Sequence, residues 1–455
     1  MTSADVLILG GGSGGYACAL RSAELGLSVI LIDKDKLGGT CLHRGCIPTK
    51  ALLHAAEVAD SSRESENFGV KTTLEGIDMP KVNEYRDGVV ARLYKGLQGL
   101  VKSRNVTFIE GEGKLVAPNT VEVNGVNYTG KNVVLATGSY AKSIPGLEIS
   151  GRIMTSDQAL NLDYVPASVI VLGGGVIGVE FASVWKSFGA DVTILEGLPH
   201  LVPNEDISVS KALERAYRKR GINFTLGTKF ASATQSDTGV EVTLEDGKIL
   251  SAELLLVAVG RGPNTANMGF EDNGVATERG WVLVNERLAT NIPGIFAVGD
   301  ITPGLQLAHR GFQHGIFVAE EIAGLNPVVI ADINIPKVTY CEPEVASVGM
   351  NEEEARAAFG DEVNVYEYNL GGNGKSQILG TAGFIKLVAQ KDGPVVGIHM
   401  VGSRVGEQIG EAQLIVNWEA YPEDVATLIH AHPTQNEAMG EAHLALAGKP
   451  LHAHA

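Results

Sequence analysis

Apolar residues in this chain fall mostly in short unbroken runs, each closed by glycine or by an acid. Asp5 to Leu9 (DVLIL) is one such run and predicts a buried strand. It leads into GGGSGGYACALRSAELG, a glycine-rich turn with a helical stretch, and then into SVILID, a second strand ending at Asp33. The same order returns downstream in SVIVLGGGVIGVEFASVWKSFGADVTILE, which closes at Glu196. VVLATGS (133–139) and LLLVAVGRGPN (254–264) each predict a strand ending in a tight, Gly-containing turn, and IFAVGD (295–300) predicts a strand ending in an acid. From about Asn334 the pattern changes. Strand signals (FIKLVAQ, VVGIHMV) alternate with helical ones (EEEARAAFG, EQIGEAQLIVNWEA), which predicts a separate C-terminal domain used for assembly or for completing a site.

Within the two repeated units, Gly10, Gly12 and Gly15 fill a G-x-G-x-x-G template, and so do Gly173, Gly175 and Gly178. The interval from first glycine to closing acid is 23 residues in both copies, Gly10 to Asp33 and Gly173 to Glu196. One such template is weak evidence. Two, each in a strand–turn–helix–strand context with the same spacing, predict two dinucleotide-binding folds. The glycines let backbone approach a pyrophosphate on the helix N-terminus, and the acid accepts hydrogen bonds from a ribose. Two nucleotide sites in one chain imply electron transfer between two cofactors. Glu196 would bond the ribose 2′-hydroxyl of NAD and repel the 2′-phosphate of NADP. The following GLPHLVP holds no Arg or Lys to receive that phosphate, so NAD is expected.

The chain has 455 residues, enough for roughly three domains. Its net charge of −17 argues against nucleic acid as a partner, because the phosphate backbone would be repelled. That charge suits solubility, or docking to a basic protein surface. MTSADVLILGGG has no basic n-region and no cleavage site, and no apolar run approaches the roughly 20 residues that span a bilayer. A cytoplasmic location away from membranes is expected. In that compartment a close cysteine pair is more often catalytic, redox-sensing or metal-binding than structural.

Such a pair occurs in GGTCLHRGCIPTK (38–50), where Cys41 and Cys46 account for two of four cysteines. On a regular helix, five residues give about 7.5 Å of rise and about 140° of rotation, placing the Cα atoms roughly 8.6 Å apart. A disulfide needs less than about 7 Å, so the pair can close only where the helix is distorted. Gly45 tolerates distortion and Pro48 limits helix geometry just beyond it. A bridge closing so short a loop adds little stability and makes better sense as a switch. The alternative is a metal site, since Cys41, His43 and Cys46 are all ligand types. A structural zinc wants four ligands, and no second cluster follows, so no metal is expected. Cys18 and Cys341 read as core residues.

GGTCLHRGCIPTK resembles the redox-active disulfide segment of the flavin-dependent disulfide reductases, and the resemblance extends over essentially the whole chain. The fingerprints, ATGS, GRGPN, IFAVGD, YCEPEVASVG and HAHPTQNE stand in that family's order. Within it, the chain most resembles the members that reoxidise dihydrolipoyl groups with NAD. The resemblance implies an α/β fold: two Rossmann-like dinucleotide-binding domains plus a C-terminal α+β dimerisation domain. The expected segments are 1–145 (FAD domain, first part), 146–265 (NAD domain), 266–333 (FAD domain, second part) and 334–455 (interface).

By the same resemblance, FAD lies at the first fingerprint and NAD at the second. The implied cofactor-binding residues are Gly10, Gly12, Ser13, Gly14, Gly15, Asp33, Lys34, Gly39, Thr40, Lys50, Gly113, Thr137, Gly138, Ser139, Asp300, Leu307, Ala308 and His309, with Gly173, Gly175, Val176, Ile177, Gly178, Glu180, Glu196, Gly260 and Arg261. Asp300 would hold the flavin ribitol and Ala308 would lie along the isoalloxazine. Cys46 would be the thiol against the flavin, Cys41 the interchange thiol, and Lys50 would lie near the flavin's reactive edge, paired with Glu180. Two departures bear on the flavin environment. His43 and Arg44 stand where many members carry Asn-Val, and AHRGFQHG lacks the acidic residues common after that Ala-His.

Thiol exchange needs a base. His432 in HAHPTQNE is the candidate, with Glu437 five residues on to orient and charge-stabilise the imidazole. His430 competes for the role, while His452 and His454 in the tail read as solvated. The resemblance favours His432 and implies that it serves the other subunit's disulfide, in an obligate homodimer. The implied partner is a lipoyl-bearing acyltransferase or other lipoylated protein of a 2-oxoacid dehydrogenase complex. Members that use NADP want basic residues after the second fingerprint strand, and mercury-reducing members want a further C-terminal cysteine pair; neither feature is present. A scaffold with a vestigial site is a reading of another class, set against an intact disulfide, base and both fingerprints.

Overall fold

The computed structural model describes residues 2–452 and leaves His454 outside the described residues. The apolar runs become strands because they are buried on both faces: Val6, Leu7 and Ile8 are each fully buried, as are Ile30, Leu31 and Ile32. Ser3–Leu9 is central in a seven-stranded sheet, flanked by Val29–Asp33 and then Thr107–Glu110 on one side and by Val126–Leu135 on the other. All these neighbours run parallel, and Ile295–Ala297 adds to Val126–Leu135 in the same sense. The sheet continues past Val126–Leu135 as an antiparallel meander, Thr120–Val123 and Gly113–Ala117. The first sheet is thus assembled from sequence-distant pieces, with the 295–297 strand returning after the second unit is complete.

The second unit repeats the plan. Ser168–Leu172 is central, between Asp191–Glu196 with Asn223–Leu226 outside it, and Leu254–Val257 with Ile153–Met154 outside that; every pairing is parallel. A three-stranded antiparallel meander covers 230–252. The third unit is a five-stranded antiparallel sheet, in the order Lys337–Thr339, Glu344–Gly349, Val395–Gly402, Phe384–Gln390, Val363–Asn369. Helices Val405–Asn417 and Glu437–Leu446 pack on it through Ala412, Ile415, Ala438, Met439 and Ala442. The fold is α/β, as expected.

Three details differ from the pattern of apolar runs. The 295–300 strand ends at Ala297, and Asp300 sits in the 3-10 turn Gly299–Ile301, because the chain turns at Gly299, φ +69°, toward helix Ala308–Ile322, while the Val298 amide still donates to Leu135 of the adjoining strand. LLLVAVGRGPN yields two strands: after Leu254–Val257, Arg261–Pro263 turns back to pair antiparallel with Ser139–Ala141. The 25-residue helix Met79–Ser103 has no counterpart in that pattern; Asp78 caps its first turn by accepting from the Lys81 amide.

Candidate active site

The cysteine segment is where local sequence shapes the chemistry most directly. Gly39–His43 forms one short helix and Cys46–Glu64 a second; Arg44 and Gly45 break the run between them, Gly45 with φ −143° and ψ −110°. The break supplies the distortion that a regular helix lacks, and it sets the Cys41 and Cys46 thiols close enough for each to shift the other's ionisation. Both are free and partly buried. Cys46 is the first residue of its 19-residue helix, where the N-terminal amides favour negative charge. Its thiol is lowered to about 7. The cause is first the hydrogen bond from Cys41, which outweighs burial, and then the charge of Lys50. Cys41 moves the opposite way, raised by that same interaction and by burial. Of the two, Cys46 is the one biased toward the thiolate.

Lys50 lies one turn beyond Cys46 on the same helix. Its Nζ donates to both carboxylate oxygens of Glu180, at 2.8 and 2.9 Å, and sits 4.7 Å from the centre of the Tyr340 ring. Burial depresses the ammonium, but Glu180 outweighs it and the net direction is upward. Glu180 is 3% exposed, on helix Val176–Phe188, and also accepts from the Tyr340 amide at 3.0 Å. One carboxylate therefore joins all three units beside the thiols. Tyr340 went unassigned in the sequence, although it opens the YCEPEVASVG stretch. Cys18 and Cys341 are buried, and burial raises each thiol to about 12, so neither is reactive.

Each fingerprint forms a loop from strand to helix. A Cβ on Gly15 would lie 1.7 Å from the Gly10 carbonyl oxygen, and one on Gly178 would lie 1.9 Å from that of Gly173, so only glycine allows helix and loop to meet. By contrast a Cβ on Gly175 would meet nothing within 4 Å, and one on Gly12 would meet only Gly39 Cα, at 3.9 Å. The helices that follow, Ser13–Glu24 and Val176–Phe188, have no side-chain cap at their N-termini. Open space over uncapped amides fits a pyrophosphate at both places. Ser13, Gly14 and Gly15 open the first helix, and Val176, Ile177 and Gly178 the second. The acids are locked alike. Asp33 Oδ2 accepts from the Gly11 amide at 2.5 Å and Oδ1 from Asp35; Glu196 Oε2 accepts from the Gly174 amide at 2.7 Å and Oε1 from Leu198. Burial raises Asp33 against those amide bonds.

The remaining expected contacts cluster unevenly. Ser139 Oγ donates to Asp300 Oδ2 at 2.6 Å and accepts from Arg261 Nε at 2.7 Å, which ties Asp300 to the two-stranded crossing. Thr137 Oγ1 donates to the Asn264 carbonyl, and Gly138 has φ +74°. Gly260 precedes that crossing and accepts from the Lys142 amide. Leu307 precedes helix Ala308–Ile322, which begins with Ala308 and His309; burial lowers His309, whose Nε2 lies 2.8 Å from the Pro336 carbonyl. Gly39 and Thr40 open the short cysteine helix. Lys34 is the outlier, exposed and 3.7 Å from Glu112, and Gly113 is buried at the start of its strand.

Two buried residues in AHRGFQHG escaped individual assignment, although the stretch itself stood out. Arg310 is 5% exposed and His314 2%, and both reach the turn that carries Asp300. His43 packs edge-on to Tyr94 and meets the Leu37 carbonyl, while Arg44 pairs with Asp35. Neither side chain makes those contacts with the thiols.

His432 stands apart. It is 77% exposed, and its Nδ1 lies 2.8 Å from Glu437 Oε1. Glu437 Oε2 accepts from the Thr434 amide; with the His432 contact this outweighs desolvation and lowers the carboxyl. Among the described residues no hydrogen bond or ion pair joins His432 to the cysteine segment. His430 is instead engaged with Glu411 at 2.9 Å, and His452 with Glu441. No cluster of three or more side chains able to hold a metal occurs among the described residues, and no described helix is long and apolar enough to cross a membrane.

Comparison with known proteins agrees with this architecture. Residues 4–315 match the pyridine nucleotide-disulphide oxidoreductase model and residues 335–443 its dimerisation domain. A dihydrolipoyl dehydrogenase of Bacillus subtilis is 41% identical over 99% of both chains. One from Geobacillus stearothermophilus is 39% identical over 98% of this chain and 97% of its own. The crystal structure of LpdA from Mycobacterium tuberculosis superposes with a TM-score of 0.91 at 26% identity, covering 98% of this chain and 100% of that one. With paired cysteines at a helix break, two fingerprint loops and a matching third unit, the chain belongs to the pyridine nucleotide-disulphide oxidoreductase family.

Proposed function

We propose that this protein is a dihydrolipoyl dehydrogenase, which oxidises dihydrolipoyl groups to lipoyl groups and reduces NAD to NADH. The observation that carries the reading is the Cys41–Cys46 pair, biased toward a Cys46 thiolate and backed by Lys50–Glu180, in a chain 41% identical to such an enzyme end to end. FAD belongs at the first loop, with the Gly10–Gly15 backbone and the Ser13 amide at its pyrophosphate, Asp33 at its ribose and Asp300 at its ribitol. NAD belongs at the second, with Gly173–Gly178 and Glu196. When bound, FAD carries the electron pair between the cysteines and NAD.

The chain's own part is thiol exchange. The resting pair is a Cys41–Cys46 disulfide. His432 of the partner subunit takes a proton from one substrate thiol, and the resulting thiolate attacks Cys41 Sγ. That sulfur–sulfur bond forms as Cys41–Cys46 breaks, and Cys46 leaves as the thiolate that Lys50, the Cys41 side and the helix N-terminus stabilise. The second substrate thiol displaces Cys41, closing the lipoyl disulfide, and its proton passes to the departing Cys41 sulfur, while the imidazolium keeps the first proton opposite the Cys46 thiolate. The substrate dithiol is oxidised by two electrons and the protein disulfide reduced by two. Glu437 holds the imidazole and stabilises its charged form.

This reading needs a homodimer formed through residues 334–455, with 1–145 and 266–333 making the FAD domain and 146–265 the NAD domain. It places the enzyme in the cytoplasm, serving a lipoylated acyltransferase or similar protein of a 2-oxoacid dehydrogenase complex. The test is direct. Purified protein should be yellow and should reduce NAD with dihydrolipoamide; a colourless protein, or a yellow one that dihydrolipoamide does not reduce, refutes the assignment.

A further inference from the structure

Gly299 is held through both its backbone groups by helix Ala308–Ile322 and the segment after it. Its N–H donates to His314 Nδ1 at 3.3 Å, which fixes that imidazole as an acceptor at Nδ1. Its carbonyl accepts from Arg310 Nη1 at 3.4 Å, and from the hydroxyl and amide of Thr302 at 2.8 and 3.0 Å. Arg310 reaches further round the turn, donating to Thr302 Oγ1 at 3.2 Å and to the Pro303 carbonyl at 2.6 Å. Its guanidinium is aimed by a two-point pair with Asp332, Nε to Oδ1 at 2.9 Å and Nη2 to Oδ2 at 3.1 Å. Arg310, His314 and Thr302 are all nearly or wholly buried, so the bonds among them and Gly299 are shielded from water, while Asp332 holds the guanidinium from the exposed side.

Asp300 is the next residue along, and among the described residues its carboxylate accepts at one oxygen, from Ser139 at 2.6 Å. Its direction is therefore set by the backbone of the turn. We infer that Arg310 and His314 are positioning residues that clamp the Gly299–Asp300 turn and so determine how tightly the chain retains FAD. This rests on the reading that Asp300 faces the flavin ribitol. A fork-shaped guanidinium can serve Gly299, Thr302, Pro303 and Asp332 together; a single ammonium cannot. A side-chain acceptor two bonds from Cβ is what the Gly299 N–H requires, and Asn carries one in nearly the place of His Nδ1, whereas Leu carries none.

The experiment follows flavin released from the full-length holoprotein on serial dilution, read as recovered FAD fluorescence, for wild type, His314→Leu, His314→Asn and Arg310→Lys. Unfolding by circular dichroism is recorded beside it. The clamp predicts FAD affinity weakened about tenfold in His314→Leu and Arg310→Lys, the loss expected for one or two buried hydrogen bonds. It also predicts recovery to near the wild-type value in His314→Asn. Folded His314→Leu and Arg310→Lys with wild-type FAD affinity overturn the inference, and leave the flavoprotein reading standing. So does equal weakening in His314→Asn and His314→Leu, which would mean that ring packing rather than the acceptor matters. If His314→Leu does not fold, Arg310→Lys decides alone. A wild-type chain that takes up no FAD refutes the flavoprotein reading and the clamp with it.

Discussion

Lys50 and Glu180 form a two-point ion pair, 2.8 and 2.9 Å, between the helix that begins at Cys46 and the helix of the second fingerprint. Tyr340 of the third unit completes it with an amide bond to Glu180 and a ring beside Lys50. The pair couples interdomain packing to thiol chemistry, because the same ammonium lowers Cys46.

Lys50→Met should therefore raise the pH at which the Cys46 thiolate forms, by about one to three pH units, the usual effect of a nearby opposite charge. The sign follows from the charge: removing a cation disfavours the anion. Ultraviolet thiolate absorbance of the reduced protein, titrated through neutral pH, measures it. A midpoint that stays at about 7 would mean that the Cys41 hydrogen bond alone holds the thiolate.

Cys46→Ser should abolish lipoamide turnover yet leave flavin bound, because the Gly10–Gly15 loop and Asp300 lie on other segments. In Cys41→Ser the remaining Cys46 thiolate should give a long-wavelength thiolate-to-flavin absorbance without added reductant. If that band is seen in Cys46→Ser instead, the two thiols have exchanged roles.

Coenzyme choice should depend on the charge of Glu196 more than on its shape. Glu196→Gln can keep an acceptor for the Gly174 amide while losing the repulsion of a 2′-phosphate. Removing one close like-charge contact should raise the NADP-to-NAD ratio of kcat/KM about tenfold. A wild-type enzyme that already prefers NADP would overturn the ribose argument.

The sequence exposed what depends on local rules. The two loops at Gly10–Gly15 and Gly173–Gly178 were legible because a helix that meets its own loop this closely needs glycine at a fixed spacing. The Cys41–Cys46 geometry was legible because helix dimensions forbid closure without a break, and the break at Arg44–Gly45 is there. What stayed hidden depends on residues far apart in sequence. Nothing local to Tyr340 announces that its amide caps Glu180, 160 positions earlier. Arg310 and His314 read as a departure from a pattern, but their work on Gly299 needs the turn and the helix packed together. The Asp206–Lys386 pair joins residues 180 apart and has no signature at either end.

That last pair gives a stability prediction. Lys386 Nζ lies 2.8 and 2.9 Å from the two oxygens of Asp206, both residues nearly buried, and 2.8 Å from Glu352. Burial alone would raise Asp206, but Lys386 and the Ser208 bonds outweigh it and hold the carboxyl well below the usual range. A folded pKa below the unfolded one contributes stability above about pH 4, lost as pH falls through the folded value. Lys386→Met, which strands a buried charge, should cost about 3–5 kcal/mol. Urea unfolding should show that deficit undiminished from pH 7 to pH 5 and narrowing only in stronger acid. A deficit that fades by pH 5 would place the effect on some other group.

His432 tests the base and the dimer together. Within one chain its only hydrogen-bonded partner among the described residues is Glu437, and it lies largely exposed, the arrangement expected of a group whose target is on another subunit. General-base assistance is worth about 10² to 10⁴ in rate, so His432→Gln should slow reduction by dihydrolipoamide by that order. NADH oxidation by an artificial acceptor that draws electrons from the flavin needs no thiol deprotonation and should survive. If the base acts across the interface, inactive variants should complement. Heterodimers of Cys46→Ser and His432→Gln subunits would contain one site with an intact disulfide facing an intact partner base, and lipoamide activity should return on mixing under conditions that exchange subunits. Mass spectrometry of the intact dimers establishes that heterodimers have formed. Heterodimers without activity would place the base in its own subunit's site, or deny His432 the role.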